Sequence, residues 1–182
     1  MLEEIVIAGF GGQGVILAGK LLCEAAMADG MEVACSVSYG PEMRGGTANA
    51  GVIISDRPIG AVVVTRPTIA IVMNSPSLEK YEPRVKEGGL LIVNQSMAEN
   101  KARRQDIQVE YVPATDLASD IGNKDVSNVV MLGALLALKS VVTLKAIKSA
   151  LDKALSKTRP ELLENDYRAL EAGIDFVRNK AS

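Results

Sequence analysis

Short, wholly apolar runs alternate with helical periodicity through most of this chain, and the alternation predicts a layered α/β fold. Glu4 to Ala8 is a continuous β-branched run followed at once by glycines, the pattern of a strand buried on both faces. From Gly14 onward Leu17, Leu21, Ala25 and Ala28, with Ala18 and Leu22 beside them, fall on one helical face, and Asp29-Gly30 ends that helix. Glu32 to Ser36 gives a second strand. Strand, glycine loop, helix and strand together make a βαβ module of about 30 residues.

Beyond it, Thr47–Ile54 and Ala61–Thr65 are β-rich and separated by the turn-like Ser55-Asp56-Arg57-Pro58, which predicts an inserted hairpin. Ile69–Met73 and Leu90–Val93 are apolar strands flanking a short helix introduced by Asn74-Ser75-Pro76-Ser77, and Val109–Val112 is the last short strand. Glu99 to Asp106 is a solvated helix or loop. The final third is helical. A short helix follows Pro113-Ala114-Thr115-Asp116, and Asp125 or Ser127 caps a very apolar helix through Leu138. Amphipathic helices then span Thr143–Leu155 and Pro160–Asn179. The expected architecture is α/β: a Rossmann-like, mostly parallel sheet flanked by helices, with an inserted β-hairpin and a C-terminal helical cap, forming one domain over residues 1–182.

Composition narrows the chemistry more than it alters the fold. With 182 residues, 48% of them apolar, the chain can bury a substantial core. A net charge of -2 offers no electrostatic footprint for nucleic acid. The longest apolar run, Val129–Leu138, falls well short of the roughly 20 residues that span a bilayer. Met-Leu-Glu-Glu leads directly into a strand without a secretory pattern, so the expected location is cytoplasmic. The sequence contains no histidine, which removes the commonest general base and both histidine-paired nucleophile systems. Two cysteines, Cys23 and Cys35, cannot alone hold an iron–sulfur cluster, which takes about four, and are expected in the core. No catalytic residue and no metal ligand set is predicted in this chain.

Ligands of open parallel sheets bind where the strands end. The residues predicted at that rim are Gly9–Gly14, the Ser36–Gly46 loop, Asn74-Ser75, Asn94-Gln95-Ser96 and Thr115-Asp116, small and amide groups suited to holding rather than reacting. Gly9, Gly11 and Gly14 have the spacing of a dinucleotide fingerprint between strand and helix. The ribose-binding acid expected about 20 residues on is missing, since Cys35-Ser36-Val37-Ser38 stands there. An NAD-binding or redox-sensing protein is therefore the weaker alternative, and glycines that only permit tight strand–helix packing are another. In Ser38-Tyr-Gly-Pro-Glu-Met-Arg-Gly-Gly-Thr-Ala48, glycines bracket Glu42, Met43 and Arg44. Arg44 can fork onto a phosphate, a carboxylate or a partner's acid, or pair with Glu42. Tyr39 and Met43 suit an interface better than a solvated turn.

These two segments, with Asn123 and the run Ser127-Asn128-Val-Val-Met-Leu-Gly133, resemble the gamma subunit or gamma domain of 2-oxoacid:ferredoxin oxidoreductases. The resemblance runs through most of the chain in order. It implies one subunit of an enzyme that converts an oxoacid, coenzyme A and oxidised ferredoxin to acyl-CoA, CO2 and reduced ferredoxin. Thiamine diphosphate, Mg2+ and [4Fe-4S] clusters then belong to alpha, beta and ferredoxin-like delta partners, since this chain has neither the Gly-Asp-Gly segment nor the cysteine motifs of those parts. By family position, Gly9, Gly11, Gly12, Gly14 and Arg44 are candidates to shape the approach of coenzyme A. Tyr39, Glu42, Met43, Arg44 and Asn128 are candidates for the interface. The wording of the Tyr39–Ala48 loop and of Val112-Pro113-Ala114-Thr115 resembles 2-oxoglutarate-type chains more than pyruvate-type ones. A pure scaffold subunit is the remaining alternative.

Overall fold

The computed structural model describes residues 1–40, 46–60, 62–155 and 163–181. Six strands form one sheet: β1 (Leu2–Phe10), β2 (Glu32–Tyr39), β3 (Thr47–Ser55), β4 (Ile69–Val72), β5 (Leu90–Asn94) and β6 (Gln108–Val112). Their order is β2-β3-β1-β4-β5-β6. β1, β4, β5 and β6 pair in parallel, whereas β3 is antiparallel to both β1 and β2. β3 is thus the one strand that opposes the rest. The mixed, mostly parallel sheet agrees with the architecture predicted from the pattern.

The antiparallel element differs in its partners. The hairpin is made by β2 and β3, in continuous register from Glu32 opposite Ser55 to Tyr39 opposite Ala48. Val62 to Thr65, predicted as the second hairpin strand, forms no strand, and Ala61 lies outside the described residues. β1 and β2 occupy both sides of β3, so the valines find no free side of β3 to pair with. Val64 instead lies over Gly51, while Val62 and Val63 stay exposed.

Six α-helices occur among the described residues: α1 (Val15–Ala28), α2 (Ser75–Tyr81), α3 (Ala114–Ile121), α4 (Ser127–Leu138), α5 (Leu144–Leu155) and α6 (Leu163–Ala181). Alternate residues of the strands divide the core in two. Ile5, Ile7, Val52, Ile54, Ile69, Ile71 and Ile92 face the larger cluster, built with α1, α4, α5 and α6. Val6, Ala8, Ala70, Val72, Leu91 and Val93 face a smaller one with Leu78, Tyr81 and Val85. Burying each of the larger aliphatic side chains contributes about 1.5–3 kcal/mol.

α4 is apolar all round because it is enclosed, with α6 on its outer side. Contact between the two is close enough that an added Cβ at Gly133 would stand 2.1 Å from Leu170 O, and one at Gly173 2.0 Å from Val130 O. Neither Asp125 nor Ser127 caps α4. A 3-10 turn at Lys124–Val126 precedes the helix, and the Asn123 side chain caps that turn by accepting from Asp125 N at 3.1 Å. α2 starts as predicted, with the Asn74 carboxamide accepting from Ser77 N at 3.0 Å. The expectation of two core thiols holds for Cys23 only; Cys35 is exposed, because β2 is an edge strand.

Candidate functional site

β1, β4, β5 and β6 all end on one rim, and the glycine loop between β1 and α1 forms its centre. The amides predicted there meet each other rather than pointing outward. Gln13 Oε1 accepts from Phe10 N at 2.7 Å and from Asn74 Nδ2 at 2.8 Å. Asn94 Nδ2 donates to Thr115 Oγ1 at 2.9 Å, and Thr115 N donates to Asn94 Oδ1 at 3.4 Å. Ser96 and Asp116, at the mouth, pair at 2.9 Å. A network with each member satisfied is rigid, and it fixes the loop on the strands. Gln13, the hub, was not singled out from sequence; its signal is a long amide placed inside the glycine cluster.

The four glycines have separate reasons. An added Cβ at Gly9 would stand 2.6 Å from Gln13 Oε1, so Gly9 makes room for the hub. Gly12 has φ +101° with open space around it, so only its backbone angle requires glycine. Gly14 caps α1 in the left-handed region, and a Cβ there would stand 2.5 Å from Asn128 Nδ2. Asn128 donates to Gly14 O at 3.0 Å and is only 2% exposed. It is therefore a buried tie between α4 and the glycine loop, in place of the surface contact expected from sequence.

Gly11 carries the loop's link to the second segment. Its N–H donates to Gly46 O at 2.9 Å. In a dinucleotide site the second glycine of the fingerprint lets the backbone approach pyrophosphate; here that amide is spent on the chain's own carbonyl. Gly40 N donates to Thr47 O at 2.6 Å and closes the base of the hairpin connection. Tyr39 is 56% exposed at the end of β2, beside a cleft of about 230 Å3 that it lines with Gly11, Gly12, Gly14 and Leu17. On the other side of the loop a cleft of about 130 Å3 is lined by Gln13, Thr115, Lys124 and Ser127. Sites that enclose ligands of drug size run from about 300 Å3 upward, so neither cleft encloses a nucleotide. Hollows of about 530, 520 and 510 Å3 lie elsewhere, among Leu136, Val141 and Ile174, among Leu78, Pro83 and Arg103, and among Leu2, Ile53 and Pro58. Glu42, Met43 and Arg44 lie outside the described residues.

The donor set does not fit the redox groups of the resembled enzymes. Two cysteines fall short of a cluster's ligands, and no group of three Cys, Asp or Glu able to hold a metal occurs among the described residues. Among the described residues no helix is long and apolar enough to cross a membrane.

Comparison with known proteins identifies the family. Residues 4–176 match the family model described as pyruvate ferredoxin/flavodoxin oxidoreductase. The chain is 38% identical over 182 residues to the 2-oxoglutarate synthase subunit KorC of Methanocaldococcus jannaschii, covering 98% of this chain and 95% of that one. The gamma subunit of the keto/oxoacid ferredoxin oxidoreductase of Geobacter sulfurreducens superimposes with a TM-score of 0.82 at 34% identity, covering 97% of this chain and 99% of that one. The 2-oxoglutarate:ferredoxin oxidoreductase of Magnetococcus marinus, solved with 2-oxoglutarate, coenzyme A and succinyl-CoA bound, shares the fold at 22% identity with a TM-score of 0.89. There the fold covers 98% of this chain but 31% of a longer one. The chain belongs to the pyruvate ferredoxin/flavodoxin oxidoreductase family, as the gamma subunit of a 2-oxoacid:ferredoxin oxidoreductase.

Proposed function

We propose that this gamma subunit serves a 2-oxoglutarate enzyme, which turns 2-oxoglutarate, coenzyme A and oxidised ferredoxin into succinyl-CoA, CO2 and reduced ferredoxin. The observation that carries this is the nearly full-length correspondence with a 2-oxoglutarate synthase subunit. Residues 1–182 act as one unit in the cytoplasm, bound to alpha, beta and ferredoxin-like delta subunits. Those partners hold thiamine diphosphate, Mg2+ and the [4Fe-4S] clusters, in keeping with the donor set that this chain lacks. Its own work is assembly, with the rim completing the approach that coenzyme A takes on a partner.

Within that work the glycines and the hairpin have different roles. Gly9, Gly11 and Gly14 are committed to the chain's own groups, which supports a shaping role rather than direct contact with coenzyme A. Tyr39, Glu42, Met43 and Arg44 are the contact residues, Tyr39 being exposed beside the cleft. Reconstitution tests both. The chain alone reduces no ferredoxin and carries no iron; with its partners, CoA-dependent ferredoxin reduction is faster with 2-oxoglutarate than with pyruvate. Turnover by the isolated chain, or its binding of NADH at micromolar concentration, would sink the subunit reading, and a preference for pyruvate would sink the substrate assignment. In the reconstituted enzyme Arg44→Ala raises the KM for coenzyme A. Weakened assembly with that KM unchanged would instead favour a scaffold that bears no part of the CoA path.

A further inference from the structure

The two cysteines are separated in sequence but brought to one rung of the fold. α1 packs on the β2–β3 hairpin. It crosses β3 at Gly19, where an added Cβ would meet Ala50 Cβ at 2.6 Å and Val52 Cγ2 at 3.7 Å. Cys23 lies four residues further along α1, about 6 Å by the helical rise. Ala50 to Val52 is a step of about 7 Å along β3, so Cys23 is level with Val52. Val52 is paired across the hairpin with Cys35. Val33, on the same face of β2 as Cys35, packs against the core cluster that contains Cys23, so this face of the edge strand looks at the helix.

The two thiols are unequal. Cys23 is 7% exposed, whereas Cys35 is open to solvent. Burial, and then a hydrogen bond with Cys35, pushes the Cys23 thiol well above the ordinary range, so it stays protonated and does not meet an oxidant first. β2 is hydrogen-bonded on one side only, which leaves it free to move toward the helix as a bond forms.

We propose that Cys23 and Cys35 are a peroxide-responsive pair in which the exposed thiol is oxidised first and the buried one resolves it to a disulfide joining α1 to β2. In the first step the Cys35 sulfur attacks hydrogen peroxide, the O–O bond breaks, and Cys35 becomes a sulfenic acid with release of one water. In the second the Cys23 sulfur attacks that sulfur, the S–O bond breaks, and a second water leaves with the Cys23 proton. Two electrons pass from the thiol pair to peroxide, and a dithiol reductant reverses the change. The cross-link fixes the edge strand whose far end carries Tyr39 to the rim. None of this depends on which oxoacid the enzyme takes.

The test is peroxide treatment of the full chain followed by non-reducing peptide mapping. The expected result is an intrachain Cys23–Cys35 peptide, with both thiols lost in step and recovered by dithiothreitol. A dimedone adduct at Cys35 should be brief in the native chain and persistent in Cys23→Ser. Cys35→Ser, a change at an exposed position, should protect Cys23 from peroxide altogether. A disulfide formed only between chains, overoxidation of Cys35 with Cys23 still free, or oxidation of Cys23 in Cys35→Ser would each overturn the proposal.

Discussion

Replacing Gly14 by alanine asks whether the last glycine of the fingerprint is there for a ligand or for Asn128. Two costs add. Gly14 has φ +70°, and placing a non-glycine residue in the left-handed region costs roughly 1–2 kcal/mol. The new methyl would also stand 2.5 Å from Asn128 Nδ2 and 2.7 Å from its Cγ, an overpacking cost of about 1–3 kcal/mol. The sum is about 2–5 kcal/mol, which at a urea slope of about 2 kcal/mol/M moves the unfolding midpoint down by about 1–2.5 M. Asn128→Ala alone removes the amide donor to Gly14 O, which keeps its helical bond from Ala18 N at 2.9 Å, and costs about 0.5–1.5 kcal/mol. In the double variant the clash is gone, so its cost is smaller than the two single costs added, by about 1 kcal/mol or more. Urea unfolding of the four proteins by circular dichroism measures the cycle. Additivity within about 0.5 kcal/mol would refute the contact. Gly12→Ala is the control: nothing lies within 4 Å, so it pays the backbone term and shows no coupling to Asn128.

Other expectations follow from the same structure. Gly133→Ala drives a methyl into Leu170 O, and a loss of about 2–3 kcal/mol in urea unfolding outweighs the roughly 1 kcal/mol that alanine gains in a helix; unchanged stability would refute the α4–α6 approach. Asp166 is buried, and burial pushes its carboxyl from 3.8 up to about 6. The folded state therefore holds a proton that the unfolded state releases, so the contribution of Asp166 is fully present below about 3.8 and is lost as pH rises through 6. At about 1.4 kcal/mol per unit, Asp166→Asn should raise stability at pH 7.5 by at most about 3 kcal/mol and flatten the profile between pH 4 and 6; a variant less stable at pH 7.5 contradicts this. Asp29 accepts from Thr143 N at 2.6 Å and from Thr143 Oγ1 at 2.8 Å, tying the end of α1 to the start of α5. Asp29→Ala should lower the thermal midpoint by a few degrees, about 1 kcal/mol at an exposed cap, and faster amide exchange at the first turn of α5 would localise the loss.

The strands with two buried faces were legible because an unbroken apolar run has few other readings: β1, β4 and β5 lie where their residues predicted. What periodicity could not reveal was pairing. β3 lies between β1 and β2, and that choice left Val62–Thr65 without a free side of β3 although its residues suit a strand. The same choice put Cys35 on an outer strand and so exposed it. At the rim, sequence pointed to Asn74 and Asn94 but neither to their partners nor to Gln13. Asn74, Asn94 and Asn128 each find another part of the chain across the loop, and only the fold brings residues so distant in number into contact. The glycine spacing was correct as a strand–helix signal, but it could not reveal that Gly11 N is taken by Gly46 O.

β3's reversed direction has a consequence for how this molecule can vary. Because β2 runs up to the rim and β3 runs back down from it, the connection between Tyr39 and Thr47 starts and finishes at the same edge of the sheet, clamped at its base by Gly40 N on Thr47 O. Lengthening or shortening that connection shifts no register below the clamp. The length of this connection is therefore a dimension that can drift or be engineered without retuning the sheet, the helices or the amide lattice below it.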